Sequence, residues 1–484
     1  MKFLRPLLLA APLAVALPAF ADTLNGSSLP DLGNSASSYV SLKQEHDLGR
    51  IWIRQLRAQA HLLDDPLMTT FLENLVFRLI PHSDVPHSEL EFVVIDRAEL
   101  NAFAVPGGII GVNYGLLLYA RDEDEISAVL AHELAHLSQR HYARQIEAAE
   151  KQDPIAIATL LASILLIATN NPDAGFAGLV TSQAASVQNQ LAYSREWERE
   201  ADRLGMQTLV AAGLDPKAMP SMFEQMLYAN RFGGNPPEFL LTHPLTESRI
   251  ADAADRAQGY PAKPRLVSFE FLVLQNDARR RYQLSKDKQA TYFEQQLQRY
   301  ARNTAEYAAA QYSLASMALE AADGQKGLEQ INAIASPWNQ HSTVSSLKAR
   351  LQASLSDTSG AISTIDAALP YAPQDLELLT TKAEILKNSG KAAEATRILK
   401  TLSELRNTSP SVWHQLSEAA AAAEQPLLAY RANGEYLYYM GQQPQALRQM
   451  DLAIQQAKKK GDFQQEAALR QRLEVMAANA PQLR

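Results

Sequence analysis

A chain of 484 residues is too long for one hydrophobic core, so two or more domains are expected. It contains no cysteine, which excludes disulfides and thiolate metal sites and leaves histidine and carboxylate as the only metal donors. The net charge of −8, with no clustered basic stretch, gives no sign of a nucleic-acid partner.

The chain opens MKFLRPLLLAAPLAVALPAFADT. Lys2 and Arg5 precede an apolar run from Leu7 to Leu17, and Ala19-Phe20-Ala21 is a small-x-small pattern. This predicts a secretory signal peptide over 1–21, cleaved near Ala21-Asp22, because the run is too short to span a bilayer. The mature protein would then work in the periplasm of a bacterium. Lys2 and Arg5 are the only charges lost with the signal, so its net charge becomes −10. Residues 22–45, rich in Ser, Gly, Asn and Pro, read as a flexible leader. Apolar spacing turns helical from His46. Short strands are predicted within LEFVVIDRAELNAFAVPGGIIGVNYGLL, with Pro106-Gly107-Gly108 as the turn between Asn101–Val105 and Ile109–Val112.

Helical patterns resume at Asp122, and His132-Glu133-Leu134-Ala135-His136 then forms HExxH. On a helix the two histidines lie one turn apart, about 6 Å along the axis, so both rings reach one ion. Glu133 lies beside them, placed to contact a metal-bound water without being a ligand. Leu130, Leu134 and Leu137 give the helix an apolar side, and Asp122 to Glu125 suit its N-terminal end. His141 falls one residue short of the metzincin third histidine, a place held by Tyr142, and is read as structural or on the rim.

PIAIATLLASILLIATNNP, residues 154–172, has about fifteen apolar residues against the roughly twenty of a membrane helix. It reads as a buried or loop-covering helix; peripheral contact with lipid, or a cover over the active site, is the alternative. Downstream, AYSREWEREADRLGM sets Glu198 and Asp202 one turn apart on a second predicted helix. Glu198 would be the third metal ligand. Asp202 would accept the second N–H of a ligand imidazole and fix its tautomer. Glu196 and Glu200 lie off that line and read as a solvated face. HExxH with a distant ExxxD makes a two-His, one-Glu site with an open position.

His243 stands before Pro244, in a stretch suited to a loop over the cleft. It would be either an oxyanion stabiliser or a fourth ligand that closes the site, the latch being the favoured reading. Arg249 would steady the intermediate's oxygen or pair with a nearby carboxylate. The punctuated AQGYPAKPRL, residues 257–266, marks the domain boundary. We expect a peptidase domain over 46–262 and a helical connector over 263–304, then a repeat domain over 305–484.

Past residue 300 the chain is Ala-rich and repeats every 34 residues. Ala315, Ala349, Ala383 and Ser417 are all small, as are Gly327, Ala361, Ala395 and Ala429. That period, with small residues where paired helices cross, resembles the tetratricopeptide repeat. Trp413 and Leu416 fit large positions of one repeat, and Pro373 ends another. Repeats of this kind contact mainly their neighbours, so the domain is expected to separate cleanly from the rest.

NAFAVPGG, ARDEDEISAVLAHELAHLSQRH, YSREWEREADRLG and THPLTESR stand in the order found in the CAAX-protease/HtpX-like family of zinc metallopeptidases, and the chain resembles its periplasmic branch. The resemblance spans nearly the whole mature chain. It implies a mainly α protein: an α+β gluzincin-type peptidase domain with a small sheet, followed by an all-α tetratricopeptide-repeat solenoid. It further implies one Zn2+ on His132, His136 and Glu198, with Glu133 as the base. Unfolded or stalled outer-membrane β-barrel proteins would be the substrates, added as strands along Asn101–Val105. The repeats would bind the β-barrel assembly machinery. A chaperone or scaffold with a latent peptidase site is the alternative.

Overall fold

The computed structural model of the chain describes residues 41–85, 90–148, 165, 169, 195–232, 237–265 and 267–478. The expected signal peptide lies outside them, as do the leader up to residue 40 and all of 154–172 except Leu165 and Thr169. Helix α1 (Leu42–Gln59) starts inside the stretch read as leader, because Ser41 and Gln44 form a capping box. Helix α2 (Pro66–Leu79) starts at Asp65, whose carboxylate accepts from the N–H groups of Leu67 and Met68.

Three strands follow: β1 (Glu91–Ile95), β2 (Ala102–Val105) and β3 (Ile109–Asn113). β3 lies in the middle, parallel to β1 and antiparallel to β2. The turn joining β2 to β3 needs Gly107 and Gly108, which sit at φ 88° and 78°. The sheet and α2 pack against α4 (Glu123–Ser138), the HExxH helix, which follows the short α3 (Leu116–Tyr119). Asp122 caps α4 by accepting from Glu125 N–H, and the acidic first turn matches the helix dipole. Ile126, Leu130 and Leu134 sink one side of α4 into the main core.

The rest of the peptidase domain is α5 (His141–Ala148), α6 (Arg195–Ala211), α7 (Ala218–Phe232), α8 (Phe239–Thr242) and α9 (Glu247–Gln258). Helix α6 approaches α4 closely at Gly205, where a Cβ would lie 3.1 Å from the Ala131 carbonyl carbon and the His132 nitrogen.

The segment after α9 is tied down. Arg265 meets Asp215 at 2.8 Å and Asp122 and Glu125 at 3.2 Å. Helix α10 (Phe269–Tyr282), in the expected connector, belongs to both sides. Its Phe271, Leu274 and Ala278 enter the peptidase core, while Phe269 and Val273 pack on Ala308 and Ala309. After α11 (Lys286–Arg299) come five helical hairpins: α12 (Ala305–Glu320) with α13 (Gly324–Asn332), α14 (Ser342–Ser354) with α15 (Thr358–Ala368), α16 (Leu376–Asn388) with α17 (Ala392–Leu405), α18 (Pro410–Ala422) with α19 (Pro426–Tyr439), and α20 (Gln443–Lys460) with α21 (Phe463–Ala478).

Six of the eight small repeat positions are buried, and Ser417 and Ala429 of the fourth hairpin are half-buried. At Gly327 a Cβ would stand 2.2 Å from Leu351 Cδ2, so any side chain there would have to displace the Leu351 tip. The fifth hairpin carries no such mark.

The repeats do not stand clear of the peptidase domain. Arg406 pairs with Glu73 of α2, and the Arg54 guanidinium of α1 lies 4.6 Å over the Tyr438 ring. Gly441, at φ 72°, packs so closely on α1 that a Cβ would be 2.4 Å from Arg54 O. Between the two domains is a cleft of about 480 Å³, lined by Asp65, Asp277, Tyr312, Arg350 and Glu377 among others. The expectation of clean separation fails because the solenoid curls back onto α1 and α2. Among the described residues no helix is long and apolar enough to cross a membrane.

Candidate metal centre

One turn of α4 brings His132 Nε2 and His136 Nε2 to 3.0 Å. Helix α6 delivers Glu198, whose carboxylate oxygens lie 3.5 Å from His136 Nε2 and 3.6 Å from His132 Nε2. His243 follows α8 and turns Nδ1 inward, 3.0 Å from Glu198 and 3.4 Å from His132 Nε2. One ligand atom from each of the four lies within 4.8 Å of the others, and all four residues are buried.

These donors fit a divalent metal. Burial, with His132 and His243 beside it, holds the His136 imidazole well below its ordinary range, so it is neutral. Burial would raise Glu198, but His243, Arg249 and His132 outweigh it and keep the carboxylate ionised. A neutral imidazole and an ionised carboxylate are the deprotonated donors a metal requires.

Around the donors, Asp202 lies 3.0 Å from His132 Nδ1, where the spacing on α6 put it. Arg249 grips Asp202 through Nε at 2.7 Å and Nη2 at 2.8 Å. Its Nη1 meets Glu198 at 2.6 Å and the Pro244 carbonyl at 2.9 Å. Of the two roles expected for Arg249, the geometry here is carboxylate pairing. Burial works against Asp202 too, yet its bonds to Arg249 and His132 hold it below the usual carboxylate range.

Glu133 is buried, with Oε1 3.5 Å from His243 Nε2. Burial pushes its carboxyl up to about 8; His132 pulls it down, Glu198 pushes it up, and the Ala104 N–H donates to it.

One reading from the sequence changes, and the two alternatives for His141 narrow to the structural one. Glu200 is not merely a solvated charge, and His141 is not on the rim. His141 is fully buried, its Nδ1 2.9 Å from His136 Nδ1 and its Nε2 3.0 Å from Glu200. The sequence also gave no signal for Glu238, which binds Arg97 at 2.6 Å and accepts from Asn101 and Asn113 just before α8. Strand β2, expected to receive substrate, is an edge strand but is closed here. Residues 101–105 are at most 8% exposed, Phe103 packs edge-on against Trp52, and the Ala104 N–H serves Glu133.

The family model described as Peptidase family M48 matches residues 66–257. The β-barrel assembly-enhancing protease of Escherichia coli (strain K12) is 32% identical over 457 residues, covering 93% of this chain and 92% of that protein. A putative β-barrel assembly-enhancing protease of Vibrio cholerae is 40% identical over 263 residues, 54% of each chain. A mitochondrial metalloendopeptidase of Schizosaccharomyces pombe is 32% identical over 182 residues, 38% of this chain and 51% of that one. With a buried His-His-Glu-His group formed around an HExxH helix and near full-length similarity to one of these proteases, the chain belongs to the M48 family of metallopeptidases.

Proposed function

We propose that the chain is a periplasmic zinc endopeptidase that degrades unfolded or stalled outer-membrane β-barrel proteins and assists their assembly. The observation that carries this reading is the convergence of His132, His136 and Glu198 beside Glu133. Similarity to β-barrel assembly-enhancing proteases supports a role in β-barrel assembly, and the N-terminal pattern supports the compartment.

Zinc bound there would polarise a scissile carbonyl and lower the pKa of the attacking water. The rest is the work of the chain. Glu133 takes the proton from that water and returns it to the leaving amine. Asp202, 3.0 Å from His132 Nδ1, would accept its proton and leave Nε2 free to face the ion. Arg249 neutralises Asp202 and Glu198 without being a ligand.

His243 is read as a latch. Its Nδ1 faces the same point as the other donors, and a fourth side-chain donor occupies the place the attacking water needs. The enzyme would stay latent until the loop after α8 withdraws. The closed β2 edge supports the same restraint, and with it a second reading in which the chain acts mainly as a chaperone or scaffold on the assembly machinery through its repeats.

The test is elemental analysis of the purified protein. About one zinc per chain is expected, lost in His132→Ala and His136→Ala. Glu133→Gln should keep the zinc while cleavage of an unfolded outer-membrane protein falls ~10²- to 10⁴-fold. Zinc-free wild type, or a Glu133→Gln variant that cuts normally, refutes the assignment.

A further inference from the structure

The short α5 begins with His141 directly beneath the HExxH helix, and reaching that position is conformationally demanding. Arg140, between α4 and α5, takes φ 49°, a left-handed conformation that costs a side-chain-bearing residue energy. Its guanidinium is tied to Glu45 of α1 at 2.7 Å. The reversal returns the His141 ring under His136, where Trp197 of α6 stacks on it at 5.6 Å and 11° between planes. Glu200, one turn beyond Trp197, accepts from His141 Nε2 at 3.0 Å and from Arg144 at 3.0 Å.

We infer that Glu200, His141 and His136 form a one-directional hydrogen-bond chain that presets His136 as a metal ligand. This rests on the metal-site reading above. The direction follows from counting protons. Glu200, as a carboxylate, only accepts, so the His141 proton sits on Nε2 and points at it. His141 Nδ1 is then a lone pair, and at 2.9 Å from His136 Nδ1 it must accept. His136 therefore carries its proton on Nδ1, and Nε2 faces His132, Glu198 and His243 as a lone pair. The opposite direction would put a proton on the nitrogen that has to bind the ion.

His132 has Asp202 itself 3.0 Å from Nδ1 for the same setting. The two α4 ligands thus have separate supports, a carboxylate for one and a carboxylate acting through an imidazole for the other. Both carboxylates come from α6, the helix that supplies Glu198. Glu200 and His141 are positioning residues: neither reaches the ion or the substrate.

The experiment measures zinc affinity on the full-length protein by competition with a chromophoric chelator, together with the thermal midpoint of the metal-free form. His141→Phe keeps a ring on Trp197 but removes both nitrogens. Glu200→Gln keeps an acceptor but removes the charge. Zinc affinity should fall roughly 10- to 100-fold in His141→Phe and by less in Glu200→Gln. In the cobalt-substituted wild type, the contact-shifted His136 Nδ1–H proton should exchange slowly with solvent, and in His141→Phe quickly.

Wild type that binds zinc, with both variants within threefold of it and unchanged proton exchange, overturns the chain while leaving the metallopeptidase reading intact. Wild type that binds no zinc overturns both. A lowered metal-free midpoint with unchanged affinity means His141 only packs, and also overturns the inference. If His141→Phe does not fold, Glu200→Gln decides the matter, because Glu200 is partly exposed and its replacement leaves the core untouched.

Discussion

Arg249 holds two buried carboxylates at once, so Arg249→Met should expose how much the site depends on it. The side chain is 3% exposed and makes charged contacts with Asp202 and Glu198 of 2.6 to 2.7 Å. Methionine fills much of the volume but leaves both carboxylates in the interior, with only imidazoles beside them. Removing one partner of a buried ion pair typically costs ~3–5 kcal/mol. At ~2–4 °C per kcal/mol for a domain of this size, the metal-free thermal midpoint should drop by about 6–20 °C. The metal-free form is the one to measure, because a bound cation would itself compensate Glu198.

The loss should depend on pH in a defined direction. In the wild type Asp202 and Glu198 are held below their ordinary values, so the stability they contribute is present above the usual carboxylate range, roughly pH 4, and disappears as pH falls through their folded values. Without Arg249, burial acts with less opposition and both groups protonate at higher pH, which relieves the variant. The difference between wild type and variant is therefore largest at pH 7–8 and narrows towards pH 4. Differential scanning calorimetry across that range measures it. A drop of only a degree or two at pH 7, or a gap that widens in acid, refutes the assignment of Arg249 as the counter-charge of the site.

Three further outcomes are expected. His243→Ala should retain zinc on the other three ligands and cut an unfolded β-barrel protein faster than wild type in a gel-based assay; slower cutting with zinc retained rules out the latch. Gly205→Val should loosen zinc, read by chelator competition, although it touches no ligand, since its side chain forces α6 away from the Ala131 and His132 backbone; wild-type affinity would mean the two helices can yield there. Gly441→Ala should undock the repeats from α1, because of both its φ of 72° and the 2.4 Å approach to Arg54 O; a limited-proteolysis pattern identical to wild type between the two domains counts against that contact.

What the sequence determined by itself is whatever repeats at a fixed local spacing. A helical turn has the same length wherever the helix lies, so HExxH and ExxxD could be assigned to two faces before either helix had a place. The 34-residue recurrence of small residues likewise marks helix crossings, because only small side chains fit there. Tertiary structure decided the rest, where partners share no period. His141 and Glu200 sit on different helices and meet only because Arg140 reverses the chain through a left-handed turn held by Glu45. Gly205 matters only because α4 passes within contact of it. The edge of β2 is where a substrate strand is expected to add, yet Glu133 and the Trp52 cluster close it. The repeats resemble a separable module, but they curl until Gly441 and Tyr438 rest on α1. Spacing along one helix is a local property of the backbone, whereas these contacts depend on how whole elements fill space against each other, and no single stretch of sequence encodes that.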